Sequence, residues 1–259
     1  MHALEMRRVR KAYSTGSKQS TIALNNVDIL LKENEFVGIM GTSGSGKTTL
    51  LNVASGIDRC EEGDIYISGR NICEMSTNER ALFRRNHIGM VFQDFNLLNC
   101  LTVKENIMVP LILNNDAEKL ENNAVEQLAQ KMGIDSVLDS YPYEISGGQQ
   151  QRAALCRAVI NEPKLLLADE PTGNLDSRSS ENVLAYLEFI HREHKAGILM
   201  VTHDPFSAQH CERVIFLQDG AVKGEIRRQG DKRTFMNEIL DVLQQGKGET
   251  GDDLSDDRL

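Results

Sequence analysis

Short apolar runs alternate with segments of helical spacing along most of the chain. The run "EFVGIM" (35–40) predicts a strand that enters a glycine-rich turn and then the helical stretch "KTTLLNVASG". "DIYISG" (64–69) alternates as a half-buried strand does, and "HIGMVFQ" (87–93) is another short apolar run. In "KLENNAVEQLAQKM", Leu120, Ala124, Leu128 and Met132 stand four apart and predict one helix. "KLLLADE" (164–170) and "GILMVTH" (197–203) are continuous apolar runs, the pattern of strands covered on both faces. Between them Val183, Leu184, Leu187 and Ile190 make one helical stripe. "RVIFLQDGAVKGEI" reads as a hairpin around Asp219-Gly220. After residue 230, Phe235, Met236, Ile239, Leu240 and Leu243 predict a last amphipathic helix.

Strands alternating with helices predict a mainly parallel, doubly wound α/β sheet. The first 35 residues and 60–70 pattern as antiparallel strands, and about 94–160 reads as a helical insertion. The expected division is one domain over 1–229 and an appended region over 230–259. In that region a helix precedes an acidic tail, expected to be disordered from Gly246 on.

Charge and cysteine usage narrow the classes. The 259 residues suffice to bury a sizeable core. With 29 Lys and Arg against 38 Asp and Glu, the net charge is −9, which argues against a general nucleic-acid binder. The early cluster Arg7, Arg8, Arg10 and Lys11 reads as a solvated strand face. Cys60, Cys73, Cys100, Cys156 and Cys211 form no Cys-x-x-Cys pair and read as reduced, inert packing thiols. The start "MHALEMRRVRKAY" has charges where a signal peptide needs an apolar stretch, and no apolar run approaches the ~20 residues of a membrane span. The expectation is a soluble intracellular chain that reaches a membrane only through a partner.

"GTSGSGKT" (41–48) fits Gly-x-x-x-x-Gly-Lys-Thr between a predicted strand and a predicted helix. Gly41, Gly44 and Gly46 let backbone wrap phosphate oxygens, Lys47 reaches the β/γ-phosphates, and the Thr48 hydroxyl can ligate Mg²⁺. At the C-terminal end of "KLLLADE", Asp169 suits the Mg²⁺ shell and Glu170 is placed to orient or deprotonate an attacking water. Alone, that pair reads equally well as helix-capping acids ahead of Pro171; the glycine loop in the same chain favours metal and water. A second anion corner stands in "EISGGQQQRAALCRA" (144–158). There a serine and two glycines open a helical run whose first N–H groups lack partners.

Together these segments resemble the nucleotide-binding domain of ATP-binding cassette (ABC) proteins, over about residues 3–225. The resemblance implies a P-loop NTPase fold, an α/β ABC ATPase domain with an antiparallel β subdomain and an inserted helical subdomain. Ser146, Gly147, Gly148 and Gln149 match the family's signature motif. The resemblance places Tyr13 against adenine and spreads nucleotide contacts over Gly41, Thr42, Ser43, Gly44, Ser45, Gly46, Lys47, Thr48 and Thr49. It sets Gln93 of "VFQDF" beside Thr48 and Asp169 on Mg²⁺, with Glu170 and His203 of "VTHD" catalytic. Taken alone, Tyr13 would read as a strand aromatic, and Gln93 and His203 as polar strand ends. Cassettes of this family work as head-to-tail dimers, so Ser146, Gly147, Gly148, Gln149 and the Asp176 of "NLD" are expected to contact ATP in trans. Two phosphate corners on one chain then serve two ATP molecules. The sequence departs from the common pattern at Ile145, where many members have leucine, and in a D-loop, "NLD" (174–176), that lacks the commoner Ser-Ala.

One cassette with no coiled-coil spacer speaks against DNA-repair relatives, and the lack of a tandem copy against translation-factor types. "DFNLLNCLTVKENIMVPL" resembles the branch of lipoprotein-release, macrolide-export and cell-division cassettes. "YPYEISGGQQQR", "VTHDPFSAQHCERVIFLQDG" and "RTFMNEIL" resemble the Bce-type bacitracin and antimicrobial-peptide resistance transporters. The resemblance implies an ATPase subunit using ATP and Mg²⁺, pairing with a second copy and a membrane permease, with a sensor histidine kinase in association. It implies a place on the cytoplasmic face of the plasma membrane and no nucleic acid. Phe95, Leu97 and Leu98 are the expected anchors for the permease. The alternatives are a cell-division, lipoprotein-release or macrolide-type cassette driving another membrane partner, or a soluble P-loop kinase, which the full motif order disfavours.

Overall fold

The structure, a computed structural model, describes residues 2–14 and 20–248. The chain opens with β1 (His2–Ser14), β2 (Ser20–Lys32), β3 (Phe36–Met40), α1 (Lys47–Ala54), β4 (Glu62–Ile67) and β5 (Arg70–Asn71). Next come α2 (Thr77–His87), β6 (Ile88–Val91), α3 (Val103–Asn114), α4 (Ala117–Glu121), α5 (Ala124–Lys131) and α6 (Gly147–Val159). Then follow β7 (Leu165–Asp169), α7 (Ser177–His194), β8 (Gly197–Val201), α8 (Pro205–Ala208), β9 (Arg213–Gln218), β10 (Ala221–Arg227) and α9 (Lys232–Gly248).

Two sheets form. An antiparallel one runs β2-β1-β4-β5, and a six-stranded one runs β10-β9-β3-β8-β7-β6, parallel except for the β9–β10 hairpin. That hairpin turns through Asp219 and Gly220, both at positive φ (49° and 73°), the geometry a two-residue turn between twisted strands requires.

The continuous apolar runs are explained by burial on both sheet faces. Phe36, Leu166, Ala168, Ile198 and Met200 point into a core shared with α6 and α7. Their neighbours Val37, Leu165, Leu167, Leu199 and Val201 point into a second core with α1 and the antiparallel sheet. The period of two thus divides each strand between two cores. Because β3, β8 and β7 are adjacent and parallel, their C-terminal ends open side by side on one edge. There an open α/β sheet presents ligand-binding loops.

Four expectations need correction. "KLENNAVEQLAQKM" is two helices, α4 and α5, because Asn123 takes a left-handed φ of 54° that Asn tolerates better than most residues. Leu120 and Ala124 still pack on the core across that break. Helix α9 continues through Gly246 to Gly248, so the tail does not begin at Gly246; 249–259 lie outside the described residues. Of the anticipated permease anchors only Leu98 is exposed, since Leu97 packs on the core and Phe95 is half-buried. Cys60 and Cys73, expected as isolated packing thiols with no pairing motif, lie with their sulfurs 3.2 Å apart.

The loop between β6 and α3 is pinned by one buried side chain. Asn106, on α3, accepts from the Leu98 amide (2.8 Å) and donates to the carbonyls of Leu98, Leu101 and Thr102 (3.0, 3.1 and 2.9 Å). Asn106→Ala strands buried backbone groups, each costing about 1–3 kcal/mol. The expected result is a loss of at least about 2 kcal/mol, read as a lowered urea midpoint with an unchanged slope.

Candidate active site

The loop after β3 is shaped by backbone crowding. A Cβ on Gly41 would lie 2.2 Å from the Leu217 carbonyl oxygen, and one on Gly46 only 2.4 Å from that of Ala23. Gly46 also sits at φ 101°, so neither position accepts a side chain. No side chain caps α1, whose first amides face the loop with the positive end of the helix dipole behind them. Lys47 is buried and donates from Nζ to the carbonyls of Gly41 and Thr42, both at 2.9 Å. Burial pushes its pKa down, opposed by the negative charges of Glu170 and Asp169. One cation and a ring of amides therefore converge on a single cradle.

β7 delivers the acids to the same edge. Burial and the neighbouring Glu170 push the Asp169 pKa up, while Thr48 and Lys47 pull it down. Glu170 leaves the strand at a positive φ of 42°, with its amide donating to the Val201 carbonyl (2.9 Å). That left-handed step in a non-glycine residue is a strained geometry common at reactive sites. It brings the Glu170 carboxylate within 2.9 Å of Nδ1 of His203, which emerges beyond the adjacent strand β8.

A cleft of about 600 Å³ gathers Ser43, Gly44, Gly46, Lys47, Thr48, Thr49, Glu170 and His203. Its far wall is Tyr13 with Thr21, Ile22 and Ala23 of β2. The Tyr13 hydroxyl donates to Asp58 (2.7 Å), and Lys11 lies over its ring. Gly41, Thr42 and Ser45 shape this cradle from behind, Ser45 being buried with an unpartnered hydroxyl among the described residues.

The remaining predicted residues lie elsewhere. The amide of Gln93 donates to Asn174 (3.2 Å), Asn174 donates back to the Gln93 carbonyl, and Gln93 is not among the residues lining the cleft. Ser146 caps α6, and its helix end is not bare as the sequence suggested. Ser146 Oγ accepts from the Gln149 amide while Gln149 Oε1 accepts from the Ser146 amide. That reciprocal cap leaves the N–H groups of Gly147 and Gly148, the first two helical residues, without a partner among the described residues. Asp176 caps α7, with Ser179 hydrogen bonds holding its pKa down. None of Ser146, Gly147, Gly148, Gln149 or Asp176 lines the cleft of their own chain.

Sequence reasoning missed several residues that hold this arrangement. Gln151, fully buried on α6, donates to the carbonyls of Pro171 (2.6 Å) and Phe92 (3.3 Å). It thereby ties the helix after the second glycine corner to the exits of both β6 and β7. Asp58 and the β2 wall were also unforeseen; neither belongs to a spacing pattern, so no sequence signal singles them out.

The cradle tolerates one clear test. Lys47→Ala removes a charge-assisted contact worth about 3 kcal/mol. The expected result is roughly hundred-fold weaker binding of a fluorescent adenine nucleotide in equilibrium titration.

Comparison with known proteins agrees with this geometry. The family model described as "ABC transporter" matches residues 24–173. The chain is 47% identical to the ABC transporter ATP-binding protein YxdL of Bacillus subtilis, over 99% of this chain and 98% of that protein. It is 44% identical to the bacitracin export ATP-binding protein BceA of Halalkalibacterium halodurans, over 93% and 95%. Among solved structures it resembles the dimeric post-hydrolysis state of the ATP-binding cassette MJ0796 of Methanocaldococcus jannaschii, bound to ADP and Pi. That likeness has a TM-score of 0.79 at 36% identity, covering 88% of this chain and 99% of the other. A glycine cradle, a buried lysine and an acid pair on adjacent strand ends, matched across nearly the whole length of such relatives, make this chain an ATP-hydrolysing cassette of the ABC transporter family.

Proposed function

We propose that two copies of this chain close head to tail around two ATP molecules, and that hydrolysis drives a membrane permease protecting the cell from bacitracin-like peptide antibiotics. One observation carries the dimer. The second anion corner, Gly147 and Gly148 with free amides, lies outside the cleft that holds Lys47, Thr48, Glu170 and His203. A cleft open on one side cannot exclude water from a transferring phosphoryl group, and the corner of a second copy supplies the missing wall. The dimeric MJ0796 cassette supports that arrangement, and the bacitracin export ATP-binding protein supports the peptide-resistance reading. The subunit then sits at the cytoplasmic face of the membrane through its permease.

The residues present fit Mg²⁺. Thr48 and Asp169 offer two hard oxygen donors, and burial leaves the Asp169 carboxylate in need of a compensating cation. Among the described residues no group of three His, Cys, Asp or Glu could hold a metal, as suits an ion that keeps several waters and phosphate oxygens. Mg²⁺ would neutralise charge on the phosphates. Lys47 and the α1 amides orient the same groups, Glu170 takes up a proton from the attacking water, and His203 holds Glu170 in place.

The test is growth in bacitracin of cells expressing this chain with its permease, against cells carrying Lys47→Ala. The expected result is lost tolerance in the variant at equal protein level. Unchanged tolerance overturns the peptide-resistance reading.

A further inference from the structure

Cys60 and Cys73 stand in two separate loops, thirteen positions apart, yet their sulfurs are 3.2 Å from each other. Each loop is fixed by backbone contacts. On one side, the Glu61 amide next to Cys60 donates to the Arg10 carbonyl (2.9 Å). On the other, the Cys73 amide donates to the Asn71 side chain (3.0 Å), and Asn71 in turn donates to Asp64 (2.9 Å). The Ile72 amide donates to the Ile65 carbonyl (2.9 Å), which holds that loop against β4. Both thiols are half-buried, and a cavity of about 30 Å³ lined by them, Arg59 and Arg80 has room for one water-sized molecule.

We propose that Cys60 and Cys73 are an oxidisable dithiol site, closed to a disulfide by hydrogen peroxide and reopened by cellular thiols. A disulfide bond of about 2.0 Å asks the sulfurs to approach by only about 1 Å. The surroundings divide the labour. The hydrogen bond between the two sulfurs pulls the Cys60 pKa down, with a smaller pull from Lys11. The same hydrogen bond and burial push Cys73 up. Arg80 is buried, and its Nε has no partner among the described residues, leaving positive charge beside the pair. The Cys60 thiolate attacks one peroxide oxygen, forming a sulfenic acid and releasing hydroxide, which takes a proton to become water. Cys73 sulfur then displaces the sulfenic oxygen as a second water, carrying off the Cys73 proton. Two thiols and one peroxide give one disulfide and two waters. In a reducing compartment such a bond is transient, as a redox-sensing pair requires.

The site has a route to the nucleotide cleft. Asp58, two positions before Cys60, lines the same cavity and accepts from the Tyr13 hydroxyl (2.7 Å). Closing the disulfide shifts the loop that carries Asp58, and Tyr13 with it. This consequence rests on reading Tyr13 as the adenine contact, while formation of the disulfide does not.

The experiment treats the full chain with hydrogen peroxide and maps its peptides by mass spectrometry without reduction. The expected result is a Cys60–Cys73 link lighter by two hydrogens and reversed by dithiothreitol, with buried Cys156 and Cys211 remaining thiols. In Cys73→Ser, Cys60 is expected to stop at a sulfenic acid captured by dimedone; in Cys60→Ser neither product forms. Peroxide that oxidises exposed Cys100 while Cys60 and Cys73 stay as thiols overturns the proposal. Affinity for a fluorescent adenine nucleotide, measured before and after oxidation, is expected to change at least threefold in the parent and not in Cys60→Ser. A disulfide that forms without changing affinity overturns the link to Tyr13 alone.

Discussion

Glu170→Gln leaves nucleotide affinity within about twofold and lowers phosphate release roughly a hundred- to ten-thousand-fold, the span of a lost general base. The reason lies in how the residue is held. The amide has the size and one acceptor oxygen of the carboxylate, so it keeps a partner in His203, now 2.9 Å from the acid. Its backbone is fixed independently by the bond from its amide to Val201. What the substitution removes is the capacity to accept a proton from water. Lys47, Thr48 and the amides of α1 still bind the phosphates, and the two copies close without being able to reopen through hydrolysis. Size-exclusion chromatography with ATP and Mg²⁺ is expected to show a stable dimer that the parent protein populates only briefly. Phosphate release at the parent rate would assign the proton to another group.

How much of this was readable from residues alone depends on the range over which each feature is determined. The glycine cradle is local. Crowding by Leu217 and Ala23 carbonyls demands glycine at Gly41 and Gly46, and that demand leaves a spacing visible in any sequence. The acid pair is nearly as local, because a strand buried on both faces must end where Asp169 and Glu170 reach solvent. Gln151, Asn174 and Asp58 act across long stretches of chain on backbone carbonyls or single hydroxyls, contacts that leave no periodic trace. The cysteine pair is of the same kind, since only the β4–β5 turn brings Cys73 back to Cys60.

Two further features were legible but were outweighed. Ser146 and Gln149 stand at the spacing of a reciprocal helix cap, a signal masked by the two glycines between them. Helices α2 and α3 carry the same signal in Ser76 with Glu79 and Thr102 with Glu105. The split between α4 and α5 went unseen because the four-residue spacing of Leu120 and Ala124 survives a break that one left-handed asparagine makes.

Gly147→Asp is expected to abolish hydrolysis while leaving nucleotide binding intact, and the structure shows why Gly147 and not Gly148 is the position to change. A Cβ on Gly147 meets Leu175 at 3.5 Å and Phe95 at 3.6 Å, ordinary contacts that fold unchanged. A Cβ on Gly148 would lie 2.8 Å from the Ser179 hydroxyl, which Asp176 already holds, so damage there would confuse folding with function. A carboxylate at 147 faces whatever anion the free amides of that corner receive. If this is the γ-phosphate bound by the partner copy, two charges some 4 Å apart repel by about 4 kcal/mol at an effective dielectric near 20, enough to keep the copies apart. The lesion acts on the partner's nucleotide, whereas Lys47→Ala acts on its own. Each variant alone therefore has two damaged sites. In a mixed dimer both lesions fall on one composite site, and the other pairs an intact Lys47 with an intact Gly147. Mixing the two inactive proteins is expected to restore one retained ATP per dimer, counted after gel filtration, together with partial hydrolysis. A mixed dimer that forms but retains no nucleotide at its intact site would show that the second glycine corner serves some other anion.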